Sequence, residues 1–565
     1  MNDKAVSTTQ TGDNKDSNNK PSPKDPRWIR GINLGGWLVL ERYIVPYQFA
    51  LTDCHVQAKT DSDLCWYEGA LSAPSSSSAA KRCDLDKCQP YLRENIFNNT
   101  DYPIDEWHLA TAFENRNVAT TWFNTHFGHF VTQQDFADIK KAGFTHVRIP
   151  LPHWVLGDVQ GDEPWIVGKR WEALQRAVEW ARHEGLQVWP NLHTAPGSQN
   201  GFDNSGIESV EYTADGWWKY PERVQRTVRI VDQITARMAE EDMLDVVTGF
   251  GLLNEPFGDC DMNVYKQFLD DALVVARRNL GQDSKIFVAD RFASPKFNND
   301  TWWLDEPNTY LDSHIYHVFA PTVRTYSPKQ HIHRVCHPDE PENTISDCCF
   351  EDPPANTQPS RGVRRISTEW SAAFDAMPGE LLQLVMQGIA ANGTAPDFYR
   401  QLSPERGAFV RRFAEAQMVA LEDPRVSDGW FYWTWKTEGG AFAEWDYSQG
   451  LREGWLPHIV DANTASADVF GSCDEIWQDT TNDTSVIHPY PWIDVPYWTT
   501  DDAVEHQQEL DSDWNPIDDT PNYILCLGVV ALVSVCYFFF KGCRRDNRKE
   551  GYAPVGDAEP TTFKV

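Results

Sequence analysis

Basic residues are scarce in this chain of 565 residues. It has 50 Lys and Arg against 83 Asp and Glu, which gives a formal net charge of −33. A nucleic-acid-binding protein neutralises phosphates with clustered Lys and Arg, so this balance predicts no nucleic-acid partner. A neutral polymer would not be repelled by the acidic surface.

The twelve cysteines include no Cys-x-x-Cys pair, a spacing that is typical of zinc sites. Seven of them form two clusters, which are Cys54, Cys65, Cys83 and Cys88, and then Cys336, Cys348 and Cys349. Such clusters predict local disulfides that close long loops in an oxidising compartment. Three of the twelve lie in or beside the C-terminal apolar run, which leaves nine, so one thiol is predicted to be free or intermolecular. Zinc binding by the clusters is the alternative.

The two ends of the chain differ from its middle. Residues 1–26 have almost no apolar side chains and lack the apolar stretch of a signal peptide, so we expect them to be disordered. Residues 523–540 are apolar apart from one serine and reach the roughly 17–25 residues that span a bilayer as a helix. The preceding residues 499–522 are acidic without Lys or Arg, whereas residues 541–565 begin with several basic side chains. The positive-inside rule predicts an exterior stalk at 499–522, a transmembrane helix at 523–540 and a cytoplasmic tail at 541–565.

These features predict a single-pass membrane protein whose main domain is extracellular or luminal. Because no signal peptide is evident, the C-terminal segment itself would have to direct translocation. Four Asn-x-Ser/Thr sequons favour the exterior, and they begin at Asn98, Asn299, Asn392 and Asn482. Two alternatives remain, a buried core helix at 523–540 and a domain that faces the cytosol with free thiols and unused sequons.

Eight strand-like apolar runs recur through residues 27–498. They lie at 32–40, 145–151, 186–192, 247–253, 285–290, 310–315, 364–368 and 429–434. Helix-length segments such as 169–183, 221–241 and 263–279 separate most of them. This alternation predicts an α/β fold, a (β/α)8 TIM barrel. The Ser-, Pro- and Cys-containing stretches near 53–99 and 321–359 interrupt it and are predicted to be loop insertions.

Two glutamates directly follow or end apolar runs. Glu255 lies in the sequence Leu-Asn254-Glu255-Pro, and Glu369 lies in Ile-Ser-Thr-Glu369-Trp. Barrel enzymes place their chemistry at strand ends. Two carboxyl groups that meet there can cleave a glycosidic bond, one as acid/base and one as nucleophile.

Further motifs occur in a fixed order around these glutamates. They are Arg-Gly-Ile-Asn33-Leu-Gly-Gly-Trp-Leu-Val-Leu-Glu41, Val-Arg148-Ile-Pro, Trp-Pro-Asn-Leu-His193, Leu-Asp312-Ser-His314-Ile-Tyr316 and Phe-Tyr-Trp433-Thr-Trp435-Lys. Together with the glutamates they resemble the exo-β-1,3-glucanase branch of glycoside hydrolase family 5, over roughly residues 28–455. The resemblance implies a retaining enzyme that releases terminal glucose from β-1,3-glucan by double displacement, without metal or cofactor.

The resemblance also implies a role for each residue. Glu255 would be the general acid/base and Glu369 the nucleophile, with Arg148 holding Glu369 ionised. Asn254 would bind the sugar 2-hydroxyl. The other implied contacts are orientation by His193, His314 and Tyr316, glucose binding by Glu41, a platform under the sugar at Trp435, and flanking of the outer sugar by Phe202 and Phe319.

Some positions depart from the family pattern. The motif His126-Phe127-Gly-His129-Phe130 keeps the expected histidine but has phenylalanine where tryptophan is usual, and His317 replaces a usual glutamine. The insertion after Glu41 lies close to a pocket residue. The alternatives left open are a β-1,6-glucanase, a glucan transglycosylase and a membrane-anchored glucan-binding protein without catalysis. The oligomeric state is not predicted.

Overall fold

The computed structural model describes residues 28–71, 73, 81–94, 100–208, 215–258, 260–292, 307–319, 323–337, 364–375, 378–424, 426–459 and 463–480. The predictions for residues 1–26 and 499–565, for Cys348 and Cys349, and for three of the sequons lie outside these residues. In the described ranges no helix combines the length and the apolar content that a membrane crossing requires. The predicted span at 523–540 is not among them.

Eight parallel strands form a closed barrel, and each strand pairs with its neighbours in chain order. They are β1 (Ile29–Asn33), β2 (His146–Leu151), β3 (Gln187–Leu192), β4 (Gly249–Gly251), β5 (Lys285–Ala289), β6 (Thr309–Ile315), β7 (Arg364–Trp370) and β8 (Gly429–Tyr432). β1 pairs with both β2 and β8, which closes the ring. The predicted (β/α)8 barrel is therefore confirmed.

The bounds of the first strand were predicted wrongly. The apolar run at 32–40 suggested one long strand, but β1 ends at Asn33. Gly36 then has a φ of 67°, a left-handed conformation that turns the chain out of the barrel. The apolar residues after Gly36 are buried in the loop above the barrel instead of in a strand.

Helices pack around the barrel in the described residues. The longer ones are Arg116–His129, Gln133–Lys141, Arg170–Glu184, Pro221–Glu240, Met262–Leu280, Pro328–Cys336, Pro378–Asn392 and Pro404–Leu421. The shorter ones are Pro46–Phe49, Asp53–Val56, Glu106–Ala112, Asp397–Arg400, Tyr447–Glu453, Ser466–Phe470 and Cys473–Asp479. The helices predicted at 169–183, 221–241 and 263–279 match three of these, and each predicted start and end lies within one residue of the observed one.

Large rings fill the barrel interior. Trp189 on β3 lies between Phe287 on β5 and Phe431 on β8, with ring centroids 4.3 Å and 4.9 Å away. All three side chains are buried. Gly31 on β1 makes room for them, because a Cβ at this position would lie 2.0 Å from the Phe431 ring. The interior is thus a packed core, and the strand ends are left to form a site.

β7 has an irregular register beside β6. Asp312 pairs with Ile366, but two residues later His314 pairs with Glu369, three residues further along β7. A bulge of this kind redirects side chains and is common near active sites. Here it brings Glu369 opposite His314.

The described residues contain three disulfides. In the predicted insertion near 53–99, Cys54 bonds Cys88 and Cys65 bonds Cys83. These four sulfurs are therefore not available as zinc thiolates. Trp66 from the same insertion stacks on Trp122 with a centroid distance of 4.7 Å.

The pairing predicted for the second cysteine cluster was wrong for Cys336. It bonds Cys473, 137 residues further along the chain, and joins the helices Pro328–Cys336 and Cys473–Asp479. Sequence proximity to Cys348 and Cys349 did not indicate this partner. Among the cysteines that the structure describes, Cys260 is a free, buried thiol. The prediction of one unpaired cysteine among nine stays a prediction, because Cys348 and Cys349 are not among the described residues.

Candidate active site

Glu369 is held near the end of β7 by groups from other strands. Arg148 on β2 donates from Nη1 to Glu369 Oε1 at 2.6 Å, and the Tyr316 hydroxyl donates to Oε2 at 2.9 Å. The same guanidinium donates to Oδ1 of Asn33 at 2.9 Å and to Oδ1 of Asn254 at 2.8 Å. Arg148 is therefore fixed by the ends of three strands, and it carries its charge directly to Glu369.

The surroundings of Glu369 act on its proton in opposite directions. Burial raises the pKa of Glu369, His314 and Arg148 lower it, and Glu255 raises it. The net direction is upward, and the ion pair with Arg148 limits the rise because it stabilises the charged form.

Glu255 follows β4 and is held by different partners. His314 Nδ1 lies 2.7 Å from Glu255 Oε1, and the Asn204 amide donates to Oε2 at 2.7 Å. The backbone of Glu255 has a φ of 45°, which is uncommon for a residue other than glycine. Such conformations cluster at active sites, where the surrounding structure holds them in place.

His314 lies between the two glutamates. Its Nδ1 is 3.4 Å from Glu369 Oε2, and its Nε2 is 3.4 Å from Asp312 Oδ2. Burial lowers the pKa of His314, but Glu369, Asp312 and Glu255 together raise it well above its ordinary value. Asp312 is in turn fixed by the Thr368 N–H at 2.9 Å and the Thr368 hydroxyl at 2.6 Å. The structure thus places the His314 ring between three carboxyl groups, and these groups favour its protonated form.

The two glutamates are close to each other. One carboxylate oxygen of Glu255, one of Glu369 and a ring nitrogen of His314 all lie within 4.8 Å of one another. Retaining glycosidases have carboxyl groups about 5–5.5 Å apart, whereas inverting enzymes leave about 6.5–9.5 Å for a water molecule. An oxygen–oxygen distance within 4.8 Å fits the closer spacing of the retaining class better than that of the inverting class.

Three buried polar atoms near this cluster have no protein partner. They are Oε1 of Glu41, Nε2 of His193 and Nδ2 of Asn254. Asn254 uses its Oδ1 to accept from Arg148, so its Nδ2 remains a donor. Glu41 Oε1 and His193 Nε2 lie 3.9 Å apart, too far for a hydrogen bond. Buried polar groups are normally paired, so these atoms fit hydroxyl groups of a bound sugar.

Glu41 has an unusual electrostatic environment. Burial, followed by Asp203, Glu369 and Glu255, raises its pKa well above the ordinary value. Glu41 therefore keeps a proton at pH values where an exposed glutamate has lost it. A protonated carboxyl group can both donate to and accept from a hydroxyl.

Two phenylalanines predicted at the pocket entrance are exposed. Phe202 is 41% exposed and Phe319 is 46% exposed, unusual values for large apolar rings in this barrel. Phe319 lies 5.2 Å from the ring of Tyr316, which itself bonds Glu369. Phe202 lies 5.8 Å from the ring of Phe257, two residues after Glu255. Both rings are thus linked to the carboxylate cluster.

The structure does not place Trp435 at the cluster. Its indole N–H donates to Asp135 at 3.0 Å, and its ring packs edge-on against Phe144, outside the barrel. Trp433, two residues earlier, stacks on His193 with a centroid distance of 5.7 Å and an interplanar angle of 3°. Trp433 directly follows β8 and contacts His193, so we propose it as the sugar platform in place of Trp435.

Sequence reasoning gave no role to four residues that contact the cluster or the predicted site residues beside it. They are Asn33, Asn204, Asp312 and Trp433. Three of them lie within the motifs that carried the family resemblance, so strand-end position could have indicated them. Asn204 lies in a loop between β3 and β4, and its sequence gives no such signal.

Comparisons with known proteins agree with this geometry. Residues 109–375 match the family described as cellulase (glycosyl hydrolase family 5). A probable glucan 1,3-beta-glucosidase from Arthroderma benhamiae is 30% identical over 463 residues, which cover 78% of this chain and 92% of that protein. The glucan 1,3-beta-glucosidase I/II of Saccharomyces cerevisiae is 29% identical over 445 residues, which cover 76% of this chain and 85% of that protein.

A solved structure shows the same fold. AoRut superposes with a TM-score of 0.50 at 16% identity, over 76% of this chain and 98% of its own. At this identity the likeness concerns the fold alone. With the barrel, the paired glutamates and the match to relatives over most of their length, the chain belongs to glycosyl hydrolase family 5, a family of glycosidases.

Proposed function

We propose that the protein is a retaining exo-β-1,3-glucanase. The observation that carries this proposal is the delivery of Glu255 from β4 and Glu369 from β7 to within 4.8 Å of each other. Two carboxyl groups at this separation suit a double displacement. The names of the curated relatives, glucan 1,3-beta-glucosidases, support the substrate.

In the first step, Glu369 attacks the anomeric carbon of the terminal glucose while Glu255 protonates the leaving glycosidic oxygen. The C1–O bond to the rest of the glucan breaks, and a glycosyl ester with Glu369 forms. Arg148 and Tyr316 hold the attacking carboxylate in one orientation through their hydrogen bonds.

In the second step, Glu255 takes a proton from water and the water oxygen attacks C1. Glu369 leaves as a carboxylate, so the β configuration is retained. Positive charge on Arg148 and His314 stabilises the carboxylate as it re-forms. The Asn254 amide is available to the sugar 2-hydroxyl, a contact that strengthens in the transition state.

Exo cleavage requires a pocket that holds a chain end. The unpaired atoms of Glu41, His193 and Asn254 are buried, and the stacked ring of Trp433 lies against His193. These groups support a site for one terminal glucose. The exposed rings of Phe202 and Phe319 lie further out and support contacts with the next sugar.

The experiment that tests this proposal follows the products of laminarin hydrolysis by NMR with a chain that ends at residue 511. We expect β-glucose as the first product, and no product from the Glu369→Gln variant. Release of α-glucose would exclude a retaining mechanism. If folded wild-type protein does not act on laminarin, β-1,6-glucans and glucan acceptors are the next substrates, and inactivity on all of them would favour a glucan-binding protein.

We also propose that the catalytic domain is extracellular or luminal and that residues 523–540 anchor it. Three disulfides support an oxidising compartment, and the basic residues after 540 support a cytoplasmic tail. Full-length protein should stay with membranes during carbonate extraction, whereas a chain that ends at 511 should be released. Release of both forms would exclude the anchor.

A further inference from the structure

The loop after β3 reaches the acid/base glutamate. Asn204 lies in a single turn of 3-10 helix, Asp203–Ser205, and its Nδ2 donates to Glu255 Oε2 at 2.7 Å. His314 occupies the other oxygen of the same carboxyl group. Both oxygens of Glu255 therefore have a partner, one from a strand and one from a loop.

The orientation of the Asn204 amide is fixed by the loop itself. The Phe202 backbone N–H donates to Asn200 Oδ1 at 2.9 Å, and Asn200 Nδ2 donates to Asn204 Oδ1 at 3.0 Å. Because Asn204 Oδ1 already accepts, its Nδ2 is the atom that faces Glu255. An amide N–H can only donate, so Asn204 favours the ionised form of Glu255 over the protonated one.

The loop is also braced against the segment that carries Glu255. The Phe257 N–H donates to the Gln199 carbonyl at 3.0 Å, and the rings of Phe202 and Phe257 are 5.8 Å apart. Within the loop, the hydroxyls of Ser198 and Ser205 are 2.7 Å apart. A loop tied at these points holds Asn204 in place without help from substrate.

We infer that Asn204 is a positioning residue for Glu255. The inference rests on the proposed function. Asn204 itself takes no proton, and it acts by directing Glu255 towards the glycosidic oxygen in the first step and towards water in the second.

The test compares two substrates that differ only in how much they need an acid. Phenyl β-glucoside has a poor leaving group that must be protonated, whereas 2,4-dinitrophenyl β-glucoside leaves without a proton. A positioned general acid contributes about 10²–10⁴-fold. We expect Asn204→Ala to lower kcat/KM for the phenyl glucoside by about 10- to 100-fold and to change that of the dinitrophenyl glucoside by less than about threefold.

The pH profile gives a second readout. Its basic limb in kcat/KM reports loss of the proton from the general acid. Removal of an N–H donor destabilises the ionised carboxylate, so this limb should move to higher pH in Asn204→Ala and further in Asn204→Asp. The other titratable groups that face Glu255, which are Glu41, His314, Tyr316 and Glu369, are unchanged in both variants.

Phe202→Ala is the matched control from the same loop. It should lower kcat/KM for both glucosides by a similar factor, because it removes a ring and leaves the acid in place. Thermal unfolding by circular dichroism checks the fold of each variant, and the isosteric Asn204→Asp keeps the test valid if Asn204→Ala is unstable. Equal losses on both glucosides in Asn204→Ala, or an unmoved basic limb, would overturn the inference. Inactivity of the wild type would instead count against the proposed function.

Discussion

Glu369 and Glu255 face each other across the pocket, but different parts of the chain hold them. Glu369 is bonded by Arg148 from β2 and by Tyr316 from the end of β6, so the barrel itself fixes it. Glu255 is bonded by His314 from β6 and by Asn204 from a loop. One glutamate therefore depends only on the scaffold, and the other depends on the scaffold and a loop at the entrance.

The chemistry accounts for this difference. A nucleophile needs one position and one charge, which an arginine on a rigid strand provides. An acid/base group must hold a proton in one step and lack it in the next, so its partners must tolerate both protonation states. A loop that also contacts substrate can supply one of these partners, because loops tolerate adjustment that a barrel strand does not.

Exchange of each glutamate for glutamine should separate the two roles most strongly. Glu369→Gln removes the nucleophile, and we expect a loss of at least about 10⁴-fold in kcat/KM on phenyl and dinitrophenyl β-glucosides alike. Glu255→Gln should lose about 10²–10⁴-fold on the phenyl glucoside and much less on the dinitrophenyl glucoside. Steady-state kinetics measures both. A Glu369→Gln variant that keeps activity on the activated substrate would reverse the assignment.

Arg148→Met should show that the scaffold holds the nucleophile. It removes three hydrogen bonds and leaves the buried Glu369 carboxyl without its cation. Removal of one partner of a buried ion pair typically costs about 3–5 kcal/mol of stability. We expect a loss of that size in the free energy of unfolding measured with urea, together with about 10²–10³-fold lower kcat.

The control for this variant is Arg182→Met, which breaks an exposed pair with Asp245. Exposed ion pairs contribute about 0–1 kcal/mol, so its stability should barely change. If both variants lose the same stability, Arg148 would have no special role in the site.

The sequence predicts the barrel well because its strand pattern and the chemistry at strand ends are local. Glu255, Glu369, Arg148 and His314 all lie within short motifs next to apolar runs, and the structure brings them together. Asn204 could not be found in this way, because it lies in a loop, and its contact with Glu255, 51 residues away, depends on how that loop folds.

Two other differences have physical causes that a linear pattern does not contain. Trp433 and Trp435 lie in one motif, and only the closure of β8 on β1 determines which ring turns inward. Cys336 pairs with Cys473 because two distant helices pack together, although two cysteines are much closer in sequence. In both cases, tertiary packing determines which of several residues of the same type makes the contact.

Asp312→Asn removes a carboxylate that favours the protonated form of His314, the residue between the two glutamates. A histidine whose pKa is raised on folding stabilises the protein fully below its unfolded value of about 6.5, and that stabilisation is lost as the pH rises through the folded value. Asp312 is one of the three groups that raise the pKa of His314. Without it, His314 should lose its proton at lower pH.

The free energy of unfolding of wild type and Asp312→Asn, measured from pH 5 to pH 9, checks this expectation. We expect the variant to be less stable by about 1.5–3 kcal/mol near pH 6, the usual contribution of a hydrogen bond to a charged group. The difference should shrink at higher pH as wild-type His314 also becomes neutral. A difference that is constant with pH would mean that only the Thr368 contacts of Asp312 matter.

The smallest expected effects distinguish the two tryptophans after β8. Trp433→Phe should raise KM for laminarin about 10-fold, because the smaller ring loses contact area beside His193. It should also lower the free energy of unfolding by about 1 kcal/mol, since it loses the indole bond to the Tyr43 hydroxyl. Trp435→Phe should leave KM unchanged and lower the free energy of unfolding by about 1 kcal/mol, since it loses the indole bond to Asp135. Kinetics and urea unfolding of the two variants measure these effects side by side. The opposite result, with KM sensitive to residue 435, would return the sugar platform to Trp435 and would place the pocket on the other side of the β8 end.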